Sequence, residues 1–152
     1  MDIRIIHVLF GLISLVTGLI VLVSYAFITG LRKPPGMLIF WQTVLQVFLD
    51  FEWGVIGLYR HSLNQKISDE ACKAIGIVII YCYFVGWSYI CCLIYELVVK
   101  LKDPMNGNYK KRAPIYHITS HLSGAVFTIY GAVRDQAGSN ILQICYLKAN
   151  AR

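Results

Sequence analysis

Gln42, Gln46 and Asp50 recur every four residues inside a run that is otherwise almost wholly apolar. At that spacing the three polar groups share one face of a helix. An acid held away from water is costly, so it is paired, protonated or functional. Two readings of Asp50 stand side by side. One is an ion, ligand or conformational-switch site; the other is a hydrogen-bonded packing residue facing a neighbouring helix. Glu52 lies on another face, nearer the end of the run, where it is expected to reach water. His117 and His121 form a second pair at four-residue spacing. Such a pair can bind metal, but no Asp, Glu or Cys in the same run supports that. An interhelical role is the simpler reading, and no metal or other cofactor is expected. The third cluster, Lys110-Lys111-Arg112, is the best candidate for partner contact, with lipid headgroups as the plainer alternative.

Enzyme signatures do not accompany these groups. The sequence has no Gly-rich phosphate loop, no nucleophile elbow and no His-Glu-x-x-His. An enzyme is not expected.

The elements that must position these residues follow from composition and run length. Hydrophobic residues make up 57% of the 152 and charged residues 14%, with a mean hydropathy of +0.61. Soluble domains are closer to about 25% charged. Four apolar runs cover residues 5–30, 37–58, 74–99 and 115–133. Each is near the roughly 20 residues that cross a hydrocarbon core. The first run is too long for a signal-peptide core and is read as a retained helix. Pro34, Pro35 and Gly36 break the chain after it. The fourth run is the weakest, carrying His117, Thr119, Ser120, His121, Ser123 and Thr128, and depends on packing against the others. Gly11, Ser14 and Gly18 form a small-residue stripe suited to close helix approach. Trp41, Trp53 and Trp87 read as core or interface-belt aromatics, or as the lining of a ligand cavity. The expectation is one all-α transmembrane domain of four helices, followed by a polar outer segment, 134–152.

The net charge of +6 sits between the apolar runs, which argues against nucleic acid and for anionic lipid. Arg32 and Lys33 follow the first run. Lys100, Lys102, Lys110, Lys111 and Arg112 follow the third, with Asp103 the only acid in that loop. The positive-inside rule places these loops in the cytosol and both termini, with the 59–73 loop, on the other side. Cys72 and Cys145 then share the oxidising side. They are a bridge or two unpaired thiols; Cys82, Cys91 and Cys92 lie inside the third run. No Asn-x-Ser/Thr sequon occurs.

Taken in order, these elements resemble the front half of G-protein-coupled receptors, in the cyclic-AMP-receptor-like and family 2 (secretin/adhesion-like) group. A first helix with its N-terminus outside leads to Leu31-Arg32-Lys33-Pro34-Pro35-Gly36, and a second helix opens Met37-Leu38-Ile39-Phe40-Trp41-Gln42. A cysteine opens the third helix, a basic loop follows it, and a cysteine follows the fourth. The resemblance implies a Cys72–Cys145 disulfide. It also makes Glu96 the counterpart of a glutamate that family 2 receptors carry in the third helix. The Asp-Arg-Tyr triplet of rhodopsin-like receptors is absent there.

The resemblance covers four of seven helices. The expected function is therefore a receptor-like protein of the plasma membrane, or of another membrane, in a partial chain that needs further helices to signal. Ligand-driven helix rearrangement would be passed to a G protein through Lys110, Lys111 and Arg112, and the ligand is not specified. The chain could instead pair with a full receptor. A different class, a four-helix accessory subunit of a larger membrane complex, fits the same composition, as does, more weakly, half of a small transporter or channel.

Overall fold

The computed structural model describes residues 3–33, 35–59, 68–103, 108–134, 137–139 and 145–147. Helix α1, Ile3–Phe27, is a proline-free stretch of mainly Leu, Ile and Val. Its last turn leaves carbonyls that need donors, and Arg32 supplies them. The Arg32 Nη2 donates to the Ala26 carbonyl at 2.5 Å and Nε to the Tyr25 carbonyl at 3.3 Å. A 3-10 turn, Thr29–Arg32, presents that arginine. The chain then reverses so tightly that a Cβ on Gly36 would strike the Leu31 carbonyl oxygen.

Helix α2 runs Gly36–Phe51 and continues into a π turn, Glu52–Ile56. The Gly57 amide reaches the Glu52 carbonyl five residues back, which marks one residue inserted into the helix. Helix α3, Asp69–Lys102, opens on Ser68, whose side chain accepts from the Ala71 amide at 3.3 Å. Asp69 and Glu70 lie in its first turn and Lys100 and Lys102 in its last. Both placements complement the helix dipole. Helix α4, Tyr109–Val133, starts six residues before the run read from sequence and takes Pro114 into its second turn.

Each helix packs chiefly on its sequence neighbours: α1 on α2 and the π turn, α2 on α3, α3 on α4. The small-residue stripe lies in the first of these seams. A Cβ on Gly11 would sit 2.7 Å from the Gly54 amide nitrogen, and one on Gly18 2.6 Å from Val47 Cγ2. The all-helical expectation gains one addition, an antiparallel pair of three-residue strands, β1 (Ala137–Ser139) and β2 (Cys145–Leu147), packed on α3.

The outer surface is far more apolar than that of a water-soluble domain, while the core mixes apolar residues such as Leu38, Ile79 and Val85 with polar ones. Buried positions include Thr43, Asp50, Glu52, Glu96 and Ser120. Leu9, Phe10, Ile13, Ile20 and Phe27 of α1 point outward, as do Ile118, Leu122, Val126 and Ile129 of α4. Two described helices are long and apolar enough to cross a membrane, Ile5–Phe27 and Asp69–Lys102. Only 17% and 28% of their most apolar windows are buried inside the protein, whereas the core helix of a soluble protein is mostly covered. The α-helical part of α2 is only 16 residues long, and α4 carries the polar groups already noted.

Candidate functional site: polar seams between the helices

The polar residues picked out in the sequence separate into three groups. Asp50, 4% exposed, faces α1. The Ser14 hydroxyl donates to its Oδ2 at 2.6 Å and the Gln46 amide to its Oδ1 at 2.9 Å. Ser14 reaches it because Gly11 and Gly18, about one turn to either side, let α1 approach so closely. Gln42 and Gln46 also border a shallow groove between α2 and α3, with Leu49, Cys82, Trp87 and Ile90. Its volume is about 50 Å³, which suits a few waters rather than an organic ligand. Ser14→Ala should leave a buried carboxylate oxygen without its donor, at a cost of roughly 1–3 kcal/mol. Thermal melting of the detergent-solubilised chain measures this; an unchanged Tm would remove Ser14 from the account of Asp50.

Glu52 corrects the expectation that it reaches water: it is buried, 4% exposed, in the π turn. The inserted residue shifts the turn's facing away from regular helical periodicity. Beside it, Trp53 packs edge-on to His7, and its indole Nε1 is buried without a hydrogen-bond partner among the described residues.

The second group fills the α3–α4 seam. Tyr89 Oη lies 2.5 Å from His117 Nδ1 and 3.3 Å from His121 Nε2. Tyr81 Oη lies 2.7 Å from His121 Nδ1. Ser88 and Ser123 bond across the same seam, and the edge of Trp41 meets the His117 ring. His117 and His121 are thus interhelical, and no group of three or more His, Cys, Asp or Glu able to hold a metal is found among the described residues. The phenols were not singled out in the sequence, because a tyrosine in an apolar run serves equally as a core, belt or cavity-lining residue. The readable signal was the eight-residue spacing of Tyr81 and Tyr89, which repeats one helical face opposite a histidine pair.

The third group holds the lower end of the seam. Glu96 is fully buried. Arg112 grips it through Nη2 to Oε1 at 2.8 Å and Nε to Oε2 at 3.1 Å. The Tyr116 hydroxyl donates to Oε2 at 2.7 Å. A bidentate guanidinium–carboxylate pair is the strongest form of ion pair. The hydrogen bonds that Arg112 donates to Glu96 keep its guanidinium protonated well beyond the ordinary arginine range. Burial, then the Glu96 charge and Tyr25, push the Tyr109 phenol up. Arg112 is therefore turned inward, and the outward patch is reduced to Lys110 and Lys111, both exposed.

Cys72 is buried near the start of α3 and disulfide-bonded, while Cys82, Cys91 and Cys92 carry free thiols. Cys145 lies in β2, with its side chain outside the described residues. Compared with protein-family models, curated proteins and solved structures, the chain matches none.

Proposed function

We propose that this chain is a multi-pass membrane protein built on the receptor plan, its four helices corresponding to the first four of a seven-helix G-protein-coupled receptor type. In this reading the 28–36 and 103–108 connections face the cytosol, and both ends and the 60–68 connection face the opposite side, at the plasma membrane. One observation carries the membrane part: broad faces of Leu, Ile, Val and Phe point outward while Asp50, Glu52 and Glu96 are buried. A lipid surround makes that arrangement favourable. Support for the receptor part comes from α3. Its Cys72 is disulfide-bonded, and the strand bearing Cys145 packs against the same helix, as a Cys72–Cys145 bridge requires. Glu96 anchors the other end of α3 to α4. A ligand acting between the helices would then be read out as a shift of α3 against α4. Lys110 and Lys111 would face the G protein, and signalling would draw on further helices.

Orientation is tested by placing an Asn-x-Thr sequon in 60–67 or in 104–107 of the full chain in microsomal membranes. Glycosylation of the first and not the second is expected; the reverse overturns the topology. The receptor class is tested by association with a heterotrimeric G protein in the same membranes. Guanine-nucleotide-sensitive association, weakened severalfold by Lys110→Glu with Lys111→Glu, is expected. Stoichiometric residence in a large complex, insensitive to nucleotide, would instead establish the accessory-subunit reading. That reading is favoured by one feature: the uncovered apolar stripe Ile115, Ile118, Leu122, Val126, Ile129 and Val133 of α4.

A further inference from the structure

The phenol–imidazole chain on the α3–α4 seam has a proton capacity that its bonding pattern sets. Tyr89 owns one hydroxyl hydrogen and lies between two ring nitrogens, His117 Nδ1 and His121 Nε2. It therefore donates to one ring and accepts from the other. With both rings neutral, Tyr81 donates to His121 Nδ1, His121 Nε2–H donates to Tyr89, and Tyr89 donates to His117 Nδ1. All three bonds are made. The chain can also run in the opposite sense, from His117 to Tyr81.

A first proton from water fits without loss. On His121, both ring N–H groups donate, one to Tyr81 and one to Tyr89, and Tyr89 still donates to His117. On His117, the chain reverses: Nδ1–H donates to Tyr89, Tyr89 to His121 Nε2, and His121 Nδ1–H to Tyr81. A second proton has no such arrangement. Both nitrogens facing Tyr89 then carry hydrogen, so the Tyr89 hydrogen loses its acceptor within the chain. Two imidazolium charges also flank one phenol.

Among the described residues, no carboxylate beside Tyr89 or His117 offsets the second charge. The α2 neighbour of His117 is Trp41, which does not titrate. From α3 and α4 the titratable groups beside Tyr89 are Tyr81, Cys92 and Tyr109, all uncharged in their protonated forms. Cys92 is paired with Ser120. The charges on the same seam, Glu96 and Arg112, are bonded to each other.

We infer that the Tyr81–His121–Tyr89–His117 chain is a one-proton switch: it takes up one proton with its bonds intact, and a second proton opens the α3–α4 seam. This inference is independent of the receptor reading, since it rests on the seam alone.

The test is a ¹⁵N-histidine NMR titration of the full chain in lipid nanodiscs, with His7 and His61 assigned by substitution. His117 and His121 should titrate in two steps separated by at least about one pH unit, a tenfold difference in proton affinity. Tyr89→Phe removes the shared hydroxyl and leaves only charge repulsion between the rings, so the gap should shrink by half or more. Spin labels at the outward positions Ile94 and Ile118 should separate below the lower step in the parent chain. Independent titration of the two rings, or a gap unchanged in Tyr89→Phe, overturns the switch. If Tyr89→Phe fails to fold, Tyr81→Phe serves instead. It deletes one terminal bond and should make the first proton bind less tightly without abolishing the second step; no change in the first step is contrary.

Discussion

Arg112→Ala should lower the Tm of the solubilised bundle by about 10 °C. Glu96 is fully buried and takes three of its hydrogen bonds from Arg112 and Tyr116. Removing one member of such a pair strands the other, which costs roughly 3–5 kcal/mol. For a chain of this size each kcal/mol moves Tm by about 2–4 °C. The cost comes from the abandoned carboxylate, so neutralising it should recover most of the loss. Glu96→Gln with Arg112→Ala is expected to melt well above Arg112→Ala alone. Arg112→Lys should fall between, because an ammonium cannot grip both carboxylate oxygens at once. An Arg112→Ala bundle as stable as the parent, or a double variant no better than the single, would show the pair to be ornamental.

The second large effect is expected at Gly11. Its missing Cβ leaves room for the backbone of the π turn: an added Cβ would lie 2.7 Å from the Gly54 nitrogen and 3.0 Å from the Gly54 Cα. The reverse also holds, since a Cβ on Gly54 would lie 2.9 Å from the Leu12 nitrogen. Side chains can rotate away from a new methyl group, but backbone cannot, so the helices must part. Overpacking costs roughly 1–3 kcal/mol, and the loss of the Ser14–Asp50 contact downstream adds to it. Gly11→Val should therefore melt several degrees lower and yield less folded protein. Gly86→Ala is the internal control. Nothing lies within 4 Å of its missing Cβ, and alanine favours a helix over glycine by about 1 kcal/mol. It should be neutral or stabilising; a loss equal to that of Gly11→Val would mean that added bulk is harmful anywhere in the bundle.

The stripe Gly11, Ser14 and Gly18 was legible because small residues at helical spacing have few uses in an apolar run. What it packs against was not, since the partner is a π turn and no periodicity announces an inserted residue. The same insertion hid Glu52. Asp50 and Gln46 were legible as a face, yet the donor from Ser14 came from another helix. Lys110, Lys111 and Arg112 looked alike as three cations, but helical spacing carries Arg112 toward Tyr116, four residues on, and so toward Glu96. Adjacent residues of one charge thus divide between surface and interior by their angle around the helix. The four spans were read from hydropathy alone, which cannot see that α2 is only 16 residues of regular helix or that the polar groups of α4 are bonded to α3.

Helix α3 has one further property. Its 34 residues make a rod of about 51 Å, against about 40–45 Å for a bilayer with its headgroups. In a bilayer, at an ordinary tilt of about 20°, a rod of that length would still reach past both surfaces. Its Cys72 end is covalently tied and its Glu96 end is clamped by a guanidinium fork. A rod held at both ends moves as one body: in the proposed membrane topology, a twist imposed at the Cys72 end would carry to the clamped Arg112 and to α4, the helix that bears it.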